Sequence, residues 1–156
     1  MMKRWMLLSL ALLAATAQAL ESGERLAPWT LSDQFEQSYT LDGQLRILLV
    51  ARSMDSAKLL EAALQGQPKG YLEARDALFV ADISRMPSLI GRLFAIPAMR
   101  DYAYRVLLDR EAAVVPQYAP PEQGLLWLQL EQGVLRERRV FTDAAALREA
   151  LEQAAP

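Results

Sequence analysis

Leu45-Arg46-Ile47-Leu48-Leu49-Val50-Ala51-Arg52-Ser53-Met54-Asp55-Ser56-Ala57 is the stretch that decides the fold. From Leu45 to Val50 the side chains are aliphatic apart from Arg46, the pattern of a strand buried on both faces. Ser53 and Asp55 follow, and Ala57, Leu59, Leu60, Ala63 and Leu64 then recur at three-and-four spacing. That spacing gives a helix with one apolar face, beginning near Ser53 and ending before Gly66. A buried strand running straight into a capped helix is the first half of a βαβ unit.

Outward from this unit the pattern continues. Pro28 to Leu41 reads as two short strands about a turn near Asp33 to Gln37, and Leu78 to Ile83 as a second buried strand, the parallel neighbour of the first. Pro87 is suited to open a helix, with Leu89, Ile90, Leu93 and Phe94 as its apolar face up to Pro97. Tyr104 to Leu108 is rich in strand formers and closes at Asp109, and Ala112 to Tyr118 is a turn or helical piece broken at Pro116. Leu125 to Leu130 and Val134 to Phe141 read as a hairpin joined by Glu131-Gln132-Gly133. Thr142 is the expected cap of a last helix whose buried stripe is Leu147, Ala150 and Leu151. Strands alternating with helices, followed by ββα, predict a mixed sheet flanked by helices.

At the N-terminus, Lys3 and Arg4 precede an apolar run from Trp5 to Ala15 and an Ala17-x-Ala19 exit. That order is the build of a secretory signal peptide, and the run is too short for a bilayer span, which needs about 20 residues. We therefore expect residues 1–19 to be a signal peptide cleaved after Ala19, residues 20–156 to be the mature domain, and export to leave no permanent membrane anchor. Without residues 1–19 the chain carries 15 basic and 19 acidic residues. A net charge of about −4, with Arg136, Arg138 and Arg139 as the tightest basic cluster, argues against nucleic acid as a partner.

The 156-residue chain contains no histidine and no cysteine. This removes the commonest general base, the thiolate nucleophile and the usual zinc and copper ligands. The carboxylates of Asp82, Asp101, Asp109 and Glu111 match no calcium-loop spacing and read first as turn residues at strand ends, so neither metal nor cofactor is expected.

The opening Ala27-Pro28-Trp29-Thr30-Leu31-Ser32-Asp33 with Tyr39-Thr40-Leu41, the strand Tyr104 to Asp109 with the piece after it, and the closing hairpin and helix together resemble the thioredoxin fold in its peroxiredoxin-like version. Ala51-Arg52-Ser53 through Lys58 is also similar to exported, cysteine-free proteins of the YtfJ type. The resemblance implies a three-layer α/β/α domain around a central mixed sheet. It also implies a site between the first core strand and the first helix, where backbone N–H groups and the helix dipole lower a cysteine's pKa. Thioredoxins carry C-x-x-C there and peroxiredoxins a cysteine preceded by proline and threonine; this chain has Arg52-Ser53-Met54-Asp55-Ser56. The family's cis-proline, which precedes the next-to-last strand, falls near Pro120, Pro121 and Gly124.

The candidate ligand-binding residues are accordingly Arg52, Ser53, Asp55, Ser56, Tyr118 and Pro121, with no catalytic residue assigned. Ser53, Asp55 and Ser56 are what a helix start needs for capping; the sharper alternative is a surrogate nucleophile paired with Lys58. Tyr118 and the prolines of residues 116–121 form either a recognition surface or a stiffened connection. Arg136 and Arg138 either blunt an edge strand or bind an anion. The expected function is a non-catalytic periplasmic binding or adaptor protein whose partner is a periplasmic protein or peptide. The alternative is an envelope-stress or redox-accessory enzyme using non-cysteine residues near the first helix N-terminus.

Overall fold

The computed structural model describes residues 20–155, so the expected signal peptide and its cleavage point after Ala19 lie outside the described residues. Strand β1 (Thr30–Asp33) and β2 (Ser38–Thr40) form the opening hairpin, and β3 (Ile47–Ala51) runs into helix α1 (Met54–Ala63). After β4 (Ala77–Asp82) come α2 (Ser88–Ile90), a π-helical stretch over Gly91–Ala95 and α3 (Ile96–Met99), which succeed one another without a break. Strand β5 (Val106–Asp109), a 3₁₀ turn at Val115–Tyr118, the hairpin of β6 (Leu125–Glu131) and β7 (Val134–Phe141), and α4 (Ala144–Gln153) complete the chain. Among the described residues no helix is long and apolar enough to cross a membrane.

The strands form one mixed sheet in the order β2-β1-β5-β4-β3-β6-β7. β3 lies parallel to β4, from Ile47 opposite Ala77 to Ala51 opposite Ala81, and antiparallel to β6 on its other side. The two aliphatic runs are therefore interior strands, and all five residues of β3 are buried. Alternation of side chains sends Ile47, Leu49, Ala51, Phe79 and Ala81 to one face, where Leu60 of α1, Met99 of α3 and Leu147 and Leu151 of α4 meet them. It sends Leu48, Val50, Leu78 and Val80 to the other, against Leu26, Trp29, Val115 and Tyr118. The layering is unequal: α1, α3 and α4 share the first face, while the second is closed by the N-terminal segment and one 3₁₀ turn.

Two local expectations are corrected. Leu89, Ile90, Leu93 and Phe94 are 47–64 % exposed, and the residues that turn inward are Gly91, Ile96 and Met99. A Cβ on Gly91 would lie 3.4 Å from Met86 Sδ, so the helix lies against Met86 where it has no side chain. Pro97, which has no N–H to offer the carbonyl four residues earlier, lies two residues after the end of the widened turn. Asp143, not Thr142, caps α4, its carboxylate accepting from Ala145 N and Ala146 N at 3.4 and 3.2 Å. The β6–β7 turn is tight because Gln132 and Gly133 both adopt left-handed φ, 50° and 80°, and Arg25 Nη1 occupies the place a Gly133 Cβ would take.

Tyr118 belongs to the second core. It is 3 % exposed, and its hydroxyl accepts from Trp29 Nε1 at 2.7 Å. Burial pushes the phenol pKa upward, and the Trp29 N–H acts in the opposite direction. A phenol held neutral in the fold stabilises it fully below the unfolded tyrosine range, near pH 10, and loses that contribution as pH rises through the raised value. Tyr118→Phe leaves the indole N–H buried without an acceptor, which costs about 1–3 kcal/mol; urea denaturation should show that loss, and an unchanged midpoint would mean water replaces the phenol.

Candidate functional site

The site begins at the end of β3, where the chain must turn from sheet to helix. Ser53 has extended backbone (φ −135°, ψ 166°) and caps α1 by accepting from Ser56 N at 3.2 Å, satisfying one of the helix's unpaired N–H groups. Its hydroxyl also donates to the carbonyl oxygen of Glu122 at 2.7 Å. Ser56, wholly buried, donates to that same oxygen at 3.2 Å. The two hydroxyl oxygens lie 2.9 Å apart. Both serines of the predicted site are thus brought together, and both are spent on one backbone carbonyl of residues 119–124.

That loop is held from the sheet edge as well. Arg138, on the edge strand β7, donates Nη1 to Tyr118 O at 2.6 Å and Nη2 to Ala119 O at 2.8 Å, and partial burial lowers its guanidinium from the ordinary value. Arg136 pairs at the surface with Glu131, 3.3 Å away. The two arginines thus divide the expected roles: Arg136 charges the edge, whereas Arg138 fixes the proline loop. Ala119 has a left-handed backbone (φ 45°), unusual for a residue with a Cβ. Gly124, at φ 105°, sits where a Cβ would press on Phe141 O and Val140 Cγ1 at 3.0 Å. Every peptide bond of the described residues is trans, including those preceding Pro116, Pro120 and Pro121.

The Glu122 side chain closes the arrangement at the surface. Its Oε1 receives Arg85 Nη2 at 3.0 Å and Arg52 Nε at 3.3 Å. The Arg85 hydrogen bond is the chief reason its pKa is lowered, and Arg52 adds to it; the pairing is present above the ordinary glutamate range and is lost as pH falls through the lowered value. Arg52 and Arg85 line a cleft of about 390 Å³ with Asp82, Pro116 and Pro120. The predicted junction of Arg52 with the proline loop therefore exists, but its contributors differ from those expected. Tyr118 is buried beneath it and Pro121 is half-buried beside it, while Asp55 faces solvent in the first turn of α1. Asp82 and Asp109 act as turn residues: Asp82 Oδ1 accepts from Ser84 N, and the Asp109 carboxylate from the N–H groups of Ala113, Val114 and Val115.

A second cavity, about 230 Å³, opens on the other side of the α1 start, lined by Ser53, Met54, Phe79, Met99, Tyr102 and Tyr104 among others. Tyr102 and Tyr104 are stacked with centroids 5.1 Å apart. Burial pushes both phenols upward from their ordinary value. Nothing in the alternation of Tyr102 and Tyr104 distinguished this lining from ordinary core.

No family model matches the chain, and no curated protein matches it in sequence. Solved structures do match. A protein assigned as the thiol:disulfide interchange protein DsbE of Chlorobium tepidum superposes with a TM-score of 0.59 at 17% identity, over 87% of this chain and 96% of that one. The peroxidoxin BcpB of Mycobacterium tuberculosis gives 0.58 at 14% identity, over 86% and 96%. The thioredoxin domain of a thiol-disulfide oxidoreductase from Bacteroides vulgatus gives 0.55 at 13%, over 88% and 100%. The described chain has the thioredoxin-like fold of the peroxiredoxin type, and it has it without a cysteine.

Within that fold the spacing of Ser53 and Ser56 has a meaning that neither serine has alone. They stand at the separation of a C-x-x-C motif at a helix N-terminus, with oxygen where sulfur would be. An Oγ–Oγ separation of 2.9 Å leaves only a small inward adjustment for a disulfide of about 2.05 Å. The double variant Ser53→Cys, Ser56→Cys should oxidise in air to a species with no titratable thiol; two thiols persisting under oxidised glutathione would show that the backbone here does not have C-x-x-C geometry.

Proposed function

We propose that this chain is a non-catalytic, exported binding or adaptor protein in which a thioredoxin-like domain has given up thiol chemistry and kept a ligand surface at the same corner. The observation that carries the reading is the engagement of both Ser53 and Ser56 with Glu122 O at 2.7 and 3.2 Å. A serine activated for attack needs a base to take its proton. Here both hydroxyls lie within hydrogen-bond distance of the Glu122 carbonyl and of each other, and Lys58 makes no hydrogen bond to either serine among the described residues.

The surface that remains is the cleft at Arg52. It combines guanidinium groups with a rigid proline-bearing wall, a combination suited to an extended peptide or a small anion. A bound carboxylate would compete with Glu122 for Arg52 and Arg85, so the ligand's acidic group is the expected point of recognition. The periplasm as the compartment rests on Lys3, Arg4, the run from Trp5 to Ala15 and the Ala17-x-Ala19 exit, with Leu20 the first residue of the mature domain. A neighbour assigned as a thiol:disulfide interchange protein is in keeping with an oxidising compartment.

Affinity capture from periplasmic extract tests this reading. Arg52 is exposed and bridges only surface charge, so Arg52→Ala should weaken capture of the specific partner about tenfold, the loss of one charged hydrogen bond, with an unchanged melting temperature. Equal capture by both proteins would place the site elsewhere. Disulfide reduction or peroxide turnover by thiol-free, metal-free protein would overturn the non-catalytic reading itself.

A further inference from the structure

The helical run from Ser88 to Met99 carries a face that no part of the described chain covers. Leu89, Ile90, Leu93 and Phe94 are all large, apolar and roughly half or more exposed. Gly91 is the buried residue between them. Leu89 and Leu93 each lie two positions from it and are 56 % and 54 % exposed, on the side away from the packed face. Four such side chains within six positions make one patch, whereas the other large exposed apolar residues, Phe35, Met54 and Val140, are isolated in sequence.

Charge is distributed around this patch in one sense. From Ile83 to Arg100 the sequence contains Arg85, Arg92 and Arg100 and no acid, in a chain whose net charge is negative. Arg85 is committed to Glu122. Arg92 and Arg100 instead join Arg110 around a cavity of about 330 Å³ completed by Ser32, Glu36 and Ile96. Among the described residues neither Arg92 nor Arg110 has an ion-pair partner, and Arg100 donates Nε to the carbonyl of Gln34 at 2.9 Å. A single carboxylate, Glu36, therefore faces three guanidinium groups. Such a cavity favours an anion, and guanidinium groups match phosphate oxygens in pairs.

The two features lie side by side. Arg92, Ile96 and Arg100 follow one another at four-residue intervals, and Leu89 and Leu93 form the adjacent row. A ligand satisfying both rows needs an anionic head and an apolar body joined at close range. We infer that the Ser88–Met99 segment is a membrane-surface contact, its outer face bedded at the headgroup–acyl boundary of an anionic phospholipid leaflet with a lipid phosphate among Arg92, Arg100 and Arg110. Basic residues along one flank and Leu and Phe along the other are the composition by which helices lie in that interface. The contact is reversible, because the embedded surface is four side chains and no spanning helix is present among the described residues. It does not depend on the reading of the cleft at Arg52.

Co-sedimentation of the mature chain with extruded vesicles tests the inference, using phosphatidylcholine alone and phosphatidylcholine mixed with phosphatidylglycerol. Binding is expected on the anionic vesicles only, weakening as salt is raised. The double variant Leu93→Ser, Phe94→Ser, altered only at exposed positions, should lose at least about tenfold in partitioning without a change in melting temperature. Arg92→Glu should lose about tenfold or more, two charge units at the surface. Failure to bind anionic vesicles overturns the inference. So does saturable binding of inorganic phosphate that Leu93→Ser, Phe94→Ser leaves intact in a protein that ignores vesicles, which would make the cavity a free-anion site. Concentration-dependent self-association abolished by that double variant, again without vesicle binding, would assign the patch to a second copy of the chain and overturn it equally.

Discussion

A single carbonyl oxygen, that of Glu122, organises the corner of the molecule where β3, α1 and the loop before β6 meet. Two hydroxyls from the start of α1 donate to it, and this ties the loop before β6 to the helix that follows β3. The loop's strained residue, Ala119, and its trans prolines are held in place because Arg138 and the buried Tyr118 anchor the other end. Buried polar groups are costly unless paired, and here a wholly buried serine is paired by the segment that walls the Arg52 cleft. The same contacts that build the cleft thus engage both serine hydroxyls.

The interior strands were legible because burial on both faces leaves a continuous aliphatic signature, and Ile47–Ala51 and Ala77–Asp82 lie within a residue or two of the runs that announced them. The hairpin turn was legible for a different reason: Gln132-Gly133 is among the few connections short enough for a glycine to specify it. What misled was the segment from Leu89 to Phe94, whose apolar periodicity is that of a core-facing helix. Periodicity reports that a face is apolar and not what covers it, and an exposed apolar row looks the same in sequence as a buried one. The π-helical stretch and Gly91 then set which side turns inward.

The candidate site was half legible. Arg52, Ser53 and Ser56 do converge with the proline loop, as their place between a core strand and a helix implied. Tyr118 was misplaced because an aromatic among prolines reads as a surface feature, whereas its partner, Trp29, lies 89 residues away and no local pattern announces that bond. The Ser-x-x-Ser spacing was in plain view but carries no weight by itself, since serines at i and i+3 are what an ordinary capped helix start supplies. Only the fold, found again in proteins described as thiol oxidoreductases and peroxidoxins, makes that spacing informative. The apolar face with its arginine flank was not anticipated at all, because Arg92, Arg100 and Arg110 are brought to one cavity by tertiary structure.

The central claim, that Ser53 and Ser56 serve as a structural lock on the loop at Glu122, is tested most directly by amide hydrogen exchange of residues 119–124 in the wild type and in Ser53→Ala, Ser56→Ala. The lock predicts that the double variant stays folded, with protection across β3, β4 and β6 retained, while exchange of residues 119–124 accelerates about tenfold or more as two hydrogen bonds, each worth about 1 kcal/mol, are lost. Unchanged protection of the loop would contradict it, and would mean that Arg138 and Tyr118 hold the loop without the serines.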